Sequence, residues 1–211
     1  MITIVNYGLG NIEAFVNIYN KLNIPVKVAG SYDELKNAEK LILPGVGAFD
    51  WAMTKLNDSG MRQCLDDLVV GKQVPVIGVC VGMQMMAHSS EEGVKPGLGW
   101  IDATVDKFNE SDFKCITHLP HMGWNDVDPV KTDTIFKNLG ESPRFYFLHS
   151  YYFSPKNTED TLSYTDYNVK FSSAIQVNNI FGVQFHPEKS HNWGVKLLKN
   201  FAEIKICLDR E

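Results

Sequence analysis

The run Val74-Pro75-Val76-Ile77-Gly78-Val79 is apolar and rich in β-branched residues, and it ends on Cys80, which has a glycine two residues to either side. Such a run suits a strand buried on both faces of a parallel sheet. The pattern Gly78-Val79-Cys80-Val81-Gly82 lets the chain turn sharply out of that strand into a helix and lifts the central side chain clear of the sheet. This junction limits the choice of fold, because parallel strands need long crossover connections, usually helical. The first half of the chain supplies them. ITIV, PVKVA and LIL alternate with a segment carrying Ile12, Phe15, Val16, Tyr19 and Leu22 at helical spacing and with a second short helix opened by Ser31 and Glu34 at capping-box spacing. Ser59 precedes a third periodic run through Met61, Leu65 and Leu68.

After Cys80 a helix is predicted over GMQMMAHSS, and after Gly97 the pattern changes to shorter strands with turns: FYFLHSY, TLSYTDY, FSSAIQV and IFGVQF. A C-terminal helix follows, with Trp193, Leu197, Leu198 and Phe201 along it. The expected fold is α/β, an open, mostly parallel sheet with helices on both faces and an antiparallel extension, in one domain over residues 1–211.

A net charge of -5 gives no footprint for a polyanion, so nucleic acid is not an expected partner. The longest nearly apolar stretch, Val74 to Ala87, is shorter than the roughly 20 residues that cross a bilayer. No membrane association is expected, and with no secretory pattern in MITIVNYGLGN the location defaults to the cytoplasm. Cys64, Cys80, Cys115 and Cys207 are scattered without CxxC pairing, which fits reduced thiols. For three of them a buried filler is the simplest reading, whereas the glycines around Cys80 mark it as a nucleophile. At a helix N-terminus the exposed amides and the dipole favour a negatively charged sulfur.

Two further segments belong with it. His186-Pro187-Glu188 follows an apolar strand; proline biases His186 toward extended backbone, and an i, i+2 pair in an extended chain points to one side. Glu188 is then placed to orient His186 as a general base. Pro44-Gly45-Val46-Gly47 ends the third strand, and its two glycines leave the peptide groups around Val46 and Gly47 free to aim an amide at an oxyanion, with the amide of Val81 as second donor.

Other readings compete. Gly8-Leu9-Gly10 followed by Glu13 approaches a dinucleotide-binding loop, but Glu13 stands where the third glycine belongs. His118 and His121, with His149 further on, raise a metal site, yet the segment has the pattern of strand and loop rather than of a zinc-binding helix. In peptidase-like or stress proteins of the same layered fold a histidine commonly follows the cysteine directly, and here that residue is Val81.

YGLGNI, PGVGAF, GVCVGMQ, PHMGWN and HPEKS together resemble the class I (triad) glutamine amidotransferases over nearly the whole chain. PGVGAF with PHMGWN is more specific and is similar to the glutaminase subunits of imidazole glycerol phosphate synthases. His191 is a mild departure, since a glycine is frequent there in the family. The resemblance implies that Cys80 attacks the carboxamide of L-glutamine, that His186 moves the protons and that Glu188 orients it. It further implies that Gln84, Glu92, Ser150 and Tyr151 hold the glutamine, and that Asn11, Trp124, Tyr146 and Lys189 lie at the partner interface and ammonia entrance. Gln84, four residues after Cys80, also falls on the same face of the predicted helix. The implied partner is a separate (β/α)8-barrel cyclase subunit forming a heterodimer, with amidation of a surface sugar as the alternative fate of the ammonia. Neither cofactor nor metal is implied.

Overall fold

The computed structural model describes residues 1–113 and 117–205, so Cys115 and Cys207 lie outside the described residues. The first half runs β1 (Ile2–Val5), α1 (Ile12–Lys21), β2 (Val26–Ala29), α2 (Tyr32–Leu35), β3 (Leu41–Gly45), α3 (Phe49–Asp58), α4 (Arg62–Asp66), a π-helical turn (Asp67–Gly71), β4 (Val76–Cys80) and α5 (Val81–Gln84). The second half runs β5 (Ser89–Ser90), β6 (Ala103–Lys107), β7 (His121–Asp126), β8 (Asp128–Pro129), β9 (Arg144–His149), β10 (Tyr151–Pro155), β11 (Thr161–Asp166), β12 (Lys170–Val177), β13 (Ile180–Val183) and α6 (His191–Glu203).

The main sheet has the order β2-β1-β3-β4-β13-β12-β11-β8. Its first five strands are parallel, and β12, β11 and β8 continue it antiparallel. Right-handed crossovers fix where the helices go: β1 to β2 and β2 to β3 step in opposite directions, so α1 and α2 fall on opposite faces. α3 and α4 share the α2 side, because β3 to β4 steps the same way as β2 to β3. The fold is the open, mostly parallel α/β sheet that the sequence pattern implies. Buried β1, β3, β4 and β13 form its centre, with Phe15, Tyr19, Phe49, Leu65, Leu197 and Phe201 packed into the core by the helices. Among the described residues no helix is long and apolar enough to cross a membrane.

The helix after Cys80 is shorter than its sequence suggests and ends at Gln84. The carbonyls of Met85, Met86, Ala87 and His88 accept from the amides of Leu98, Ile101, Gly99 and Gly97, so the groups that would extend the helix are taken by a distant segment. Methionines 83, 85 and 86 and Ala87 are consequently buried on all sides. At α2 the capping residue Glu34 reaches back to the amide of Gly30 (2.7 Å) rather than to Ser31, whose side chain makes no cap. FYFLHSY divides at Ser150: β9 pairs with β7, while β10 crosses to a second sheet with β6.

Lys40 fastens the end of α6. Its Nζ donates to the carbonyls of Phe201 (3.1 Å), Ala202 (2.7 Å) and Ile204 (2.7 Å), satisfying helix-end acceptors that would otherwise need water. Lys40→Met keeps the stem and removes the donors. It is expected to lower unfolding free energy by about 1–2 kcal/mol in denaturant titration, with no change in catalytic rate.

Candidate active site

The elbow is set by backbone contact. A Cβ on Gly78 would lie 2.6 Å from the carbonyl oxygen of Gly82, and one on Gly82 would lie 2.0 Å from that of Leu43. Gly78 is therefore needed for α5 to fold back over β4, and Gly82 for the turn to pack against β3. Cys80 itself takes φ 55° and ψ -116°, a left-handed conformation that costs a non-glycine residue on the order of 1–3 kcal/mol and recurs at functional sites. α5 is one turn long, so its dipole is weak, and the charge partner of the sulfur is the histidine described next.

β13 lies beside β4 in parallel register, Val183 opposite Val79, so the residues after β13 emerge at the end of the sheet that carries Cys80. His186 is buried and extended (φ -102°, ψ 92°), as the following proline dictates. Pro187–Lys189 then form a 3-10 turn. It is this turn, rather than a continuous extended chain, that brings Glu188 Oε1 to 3.0 Å from His186 Nδ1, with both side chains almost fully buried. Burial alone pushes the imidazole pKa down, but hydrogen bonds and charge from Cys80 and Glu188 outweigh it and raise the value to about 10. The histidine is thus a proton donor poised between a sulfur and a carboxylate.

A cleft of about 320 Å³ opens over these groups, lined by Val46, Gly47, Cys80, Val81, Gln84, Glu92, Ser150, Tyr151, His186 and Lys189 among others. The base of the Pro44–Gly47 loop is held: a Cβ on Gly45 would lie 2.3 Å from the amide nitrogen of Gly82, and Tyr7 donates to the Pro44 carbonyl (2.6 Å). Its apex is open, since Gly47 has φ +87° and a Cβ there would meet nothing within 4 Å. Gly10, from the segment weighed as a dinucleotide loop, instead packs where a Cβ would come within 2.5 Å of Pro44. Gln84 is buried and donates to the Tyr151 carbonyl (3.1 Å) and to Gln184 Oε1 (3.0 Å). Glu92, half-buried, accepts from the amide of Phe49 (2.9 Å) and so caps α3, whose own N-cap is Ala48.

Gln184 escaped the sequence reading. Its Nε2 lies 3.8 Å from Cys80 Sγ. The signal was available, because Gln184 precedes His186 by two in extended chain and so shares its side.

Outside the cleft, β7 and β9 pair with Met122 opposite Leu148 and Trp124 opposite Tyr146, and these four face outward while His121, Phe145, Phe147 and His149 face in. Lys189 Nζ sits 5.7 Å from the Tyr146 ring, and Trp124 stacks on His191 (5.1 Å, 10°). His191 has φ +47°, a left-handed conformation that glycine would adopt at lower cost. Asn11 is exposed at the start of α1.

His118, His121 and His149 do not form a metal site: among the described residues no group of three metal-ligating side chains comes together. His121 and His149 do meet, Nδ1 to Nε2 at 3.0 Å. Burial holds His121 down at about 4. Burial, then the charges of His121 and His186, hold His149 at about 3, against a hydrogen bond to the Tyr151 carbonyl that raises it.

The family model for class-I glutamine amidotransferases matches residues 3–204. The chain is 57% identical to the imidazole glycerol phosphate synthase subunit HisH of Bdellovibrio bacteriovorus over 97% of this chain and 100% of that one. It is 49% identical to the HisH subunit of Leptospira interrogans, again over 97% and 100%. Among solved structures, a glutamine amidotransferase superposes with a TM-score of 0.72 at 16% identity, covering 96% of this chain and 99% of the other. The glutaminase domain of Trypanosoma brucei CTPS gives 0.65 at 16%, covering 97% and 94%.

Proposed function

The chain belongs to the class I glutamine amidotransferases, and from that premise we propose that it is the glutaminase subunit of an imidazole glycerol phosphate synthase in histidine biosynthesis. What supports this above all is the end-to-end likeness to HisH subunits, 57% and 49% identical over the relatives' full length.

In this reading Cys80 attacks the carboxamide carbon of glutamine, and the oxyanion that forms is met by the amide of Val81 and by one from the Val46–Gly47 apex. His186, already protonated, gives its proton to the departing ammonia and leaves a cysteinyl thioester. It then takes a proton from water, the hydroxide opens the thioester, and glutamate departs. Glu188 holds the ring through Nδ1 so that Nε2 faces the sulfur. Gln84, Glu92, Ser150 and Tyr151 hold the amino-acid head of the substrate, and the reducing cytoplasm keeps Cys80 from being oxidised.

The ammonia passes to a separate (β/α)8-barrel cyclase subunit in a heterodimer. The outward row Met122, Trp124, Tyr146 and Leu148 beside the cleft, with Lys189 over the Tyr146 ring, is where that subunit docks, and exposed Asn11 at the start of α1 contributes to the same interface; apolar and aromatic side chains suit such a contact. Free ammonia is mostly protonated in neutral water and ammonium is no nucleophile, so a closed transfer path serves the reaction.

The test is synthesis of imidazole glycerol phosphate by this chain with a cyclase subunit, driven by glutamine and then by ammonium salt. Tyr146→Ala or Lys189→Ala should lower glutamine-driven synthesis about tenfold or more and leave ammonium-driven synthesis near normal. Equal loss in both would mean a damaged synthase. Activity only with a sugar acceptor would overturn the histidine-pathway reading while leaving the glutaminase one standing.

A further inference from the structure

Three polar side chains, of which His149 lines the cleft, have no part in the chemistry above, and their hydrogen bonds run in single file. Asn125 Nδ2 lies 3.2 Å from His121 Nε2, His121 Nδ1 lies 3.0 Å from His149 Nε2, and His149 Nδ1 lies 2.8 Å from the Tyr151 carbonyl.

The order of protons along this file is fixed from both ends. A carbonyl only accepts, so His149 Nδ1 must carry hydrogen, which in a neutral imidazole makes Nε2 an acceptor. His121 must then donate from Nδ1 and accept at Nε2, which calls for a donor from Asn125. Asn125 is held in that orientation independently: its Nδ2 donates to the Asp166 carbonyl (2.9 Å), and its Oδ1 accepts from the amide of Asp126 (2.8 Å). A proton added to either imidazole would set two N–H groups head to head. His121 has little room to turn, stacked between Phe147 (4.6 Å, 19°) and Tyr167 (4.0 Å, 21°).

The file ends on a backbone atom that matters. The Tyr151 carbonyl also accepts from Gln84 (3.1 Å), so both of its lone pairs are engaged, one from β7 and β9, the other from the elbow. It lies one residue past Ser150, where the chain leaves one sheet for another; there the Ser150 carbonyl accepts from the amide of Phe108 (3.2 Å) and Tyr151 sits opposite Lys107.

We propose that Asn125, His121 and His149 are positioning residues, a proton-ordered file of neutral groups that fixes the Ser150–Tyr151 backbone for binding the amino-acid head of the substrate. The proposal rests on the glutaminase reading. It gives the histidine pair a purpose that needs no metal, and it joins PHMGWN to the cleft through Asn125 and His121.

The tautomers are read first, by nitrogen NMR of the imidazoles in the full chain at neutral pH. Both rings should be neutral with hydrogen on Nδ1; an Nε2–H tautomer or a cation in either overturns the file. Function is read on His121→Phe, which keeps the stack and removes both nitrogens, by inactivation of Cys80 with a chloroketone analogue of glutamine and, separately, with iodoacetamide. The half-saturating concentration of the analogue should rise about tenfold while its limiting rate stays within about twofold. The iodoacetamide rate, which needs no amino-acid head, should not move. An unchanged half-saturation means the file is only packing, and a changed iodoacetamide rate means the elbow itself is disturbed; either overturns the proposal. If His121→Phe does not fold, Asn125→Leu, which removes the donor to His121 Nε2 and so releases the order, is held to the same outcomes. Failure of the unsubstituted chain to saturate with the analogue would instead overturn the glutaminase reading, and the NMR result would still decide the proton order.

Discussion

Cys80→Ala is expected to abolish glutamine hydrolysis, with kcat falling on the order of a million-fold, and His186→Ala to fall nearly as far, because nucleophile and base act as a unit. The structure ties the two together: His186 holds its proton to about 10 through Cys80 and Glu188, so losing either neighbour removes both a charge partner and a hydrogen bond. Glu188→Gln should be milder, about ten-thousand-fold, since an amide can still hold the ring but cannot balance its charge. Glutamate release by a coupled assay measures all three, with thermal unfolding as the check that the fold persists. A glutamine-analogue electrophile should label Cys80 and leave Cys64, a buried core thiol, untouched. Residual activity in Cys80→Ala, or label on Cys64, would sink the assignment.

The second large effect concerns the Val46–Gly47 apex. The loop is built as a fixed base carrying a free tip: Gly45 and Gly82 touch backbone to backbone, Tyr7 holds Pro44, and Gly47 sits in open space at positive φ. A tip of this kind can turn one peptide without moving the elbow. The isolated chain is expected to be a poor glutaminase because the apex amide points away in most molecules, and docking of the cyclase with its acceptor ligand should turn it inward. Supplying a missing oxyanion donor is worth roughly 2.7–4 kcal/mol, a hundred- to a thousand-fold in rate, and that is the activation expected on comparing hydrolysis with and without partner and ligand. A lone chain as fast as the complex would refute it.

What could be read from sequence was local. Gly78 and Gly82 around Cys80 announce their own reason, since a strand cannot turn so sharply beside a neighbour that leaves no room for a Cβ. Pro187 likewise declares the backbone of His186. What could not be read depends on partners far along the chain. The helix after Cys80 stops at Gln84 because residues 97–101 claim its carbonyls, and no periodicity in GMQMMAHSS records that. His186 and Glu188 do meet, but through a 3-10 turn rather than along the extended chain that an i, i+2 spacing suggests. In sequence His121 and His149 read with His118 as candidate metal ligands, and only the antiparallel pairing of β7 with β9 sets the two opposite one another as a hydrogen-bonded pair.

The division of one extended stretch at Ser150 also binds two equilibria into one. Residues 144–149 present the face on which the cyclase is proposed to dock, and residues 150–151, the next two along the same backbone, line the cleft for glutamine. If the partner straightens this stretch and thereby strengthens glutamine binding by some factor, glutamine must strengthen partner binding by that same factor, because the free energy of the doubly occupied state does not depend on the order of filling. A glutaminase of this construction would hold its synthase most firmly while there is nitrogen to hand over, and loosen its grip once glutamate has left.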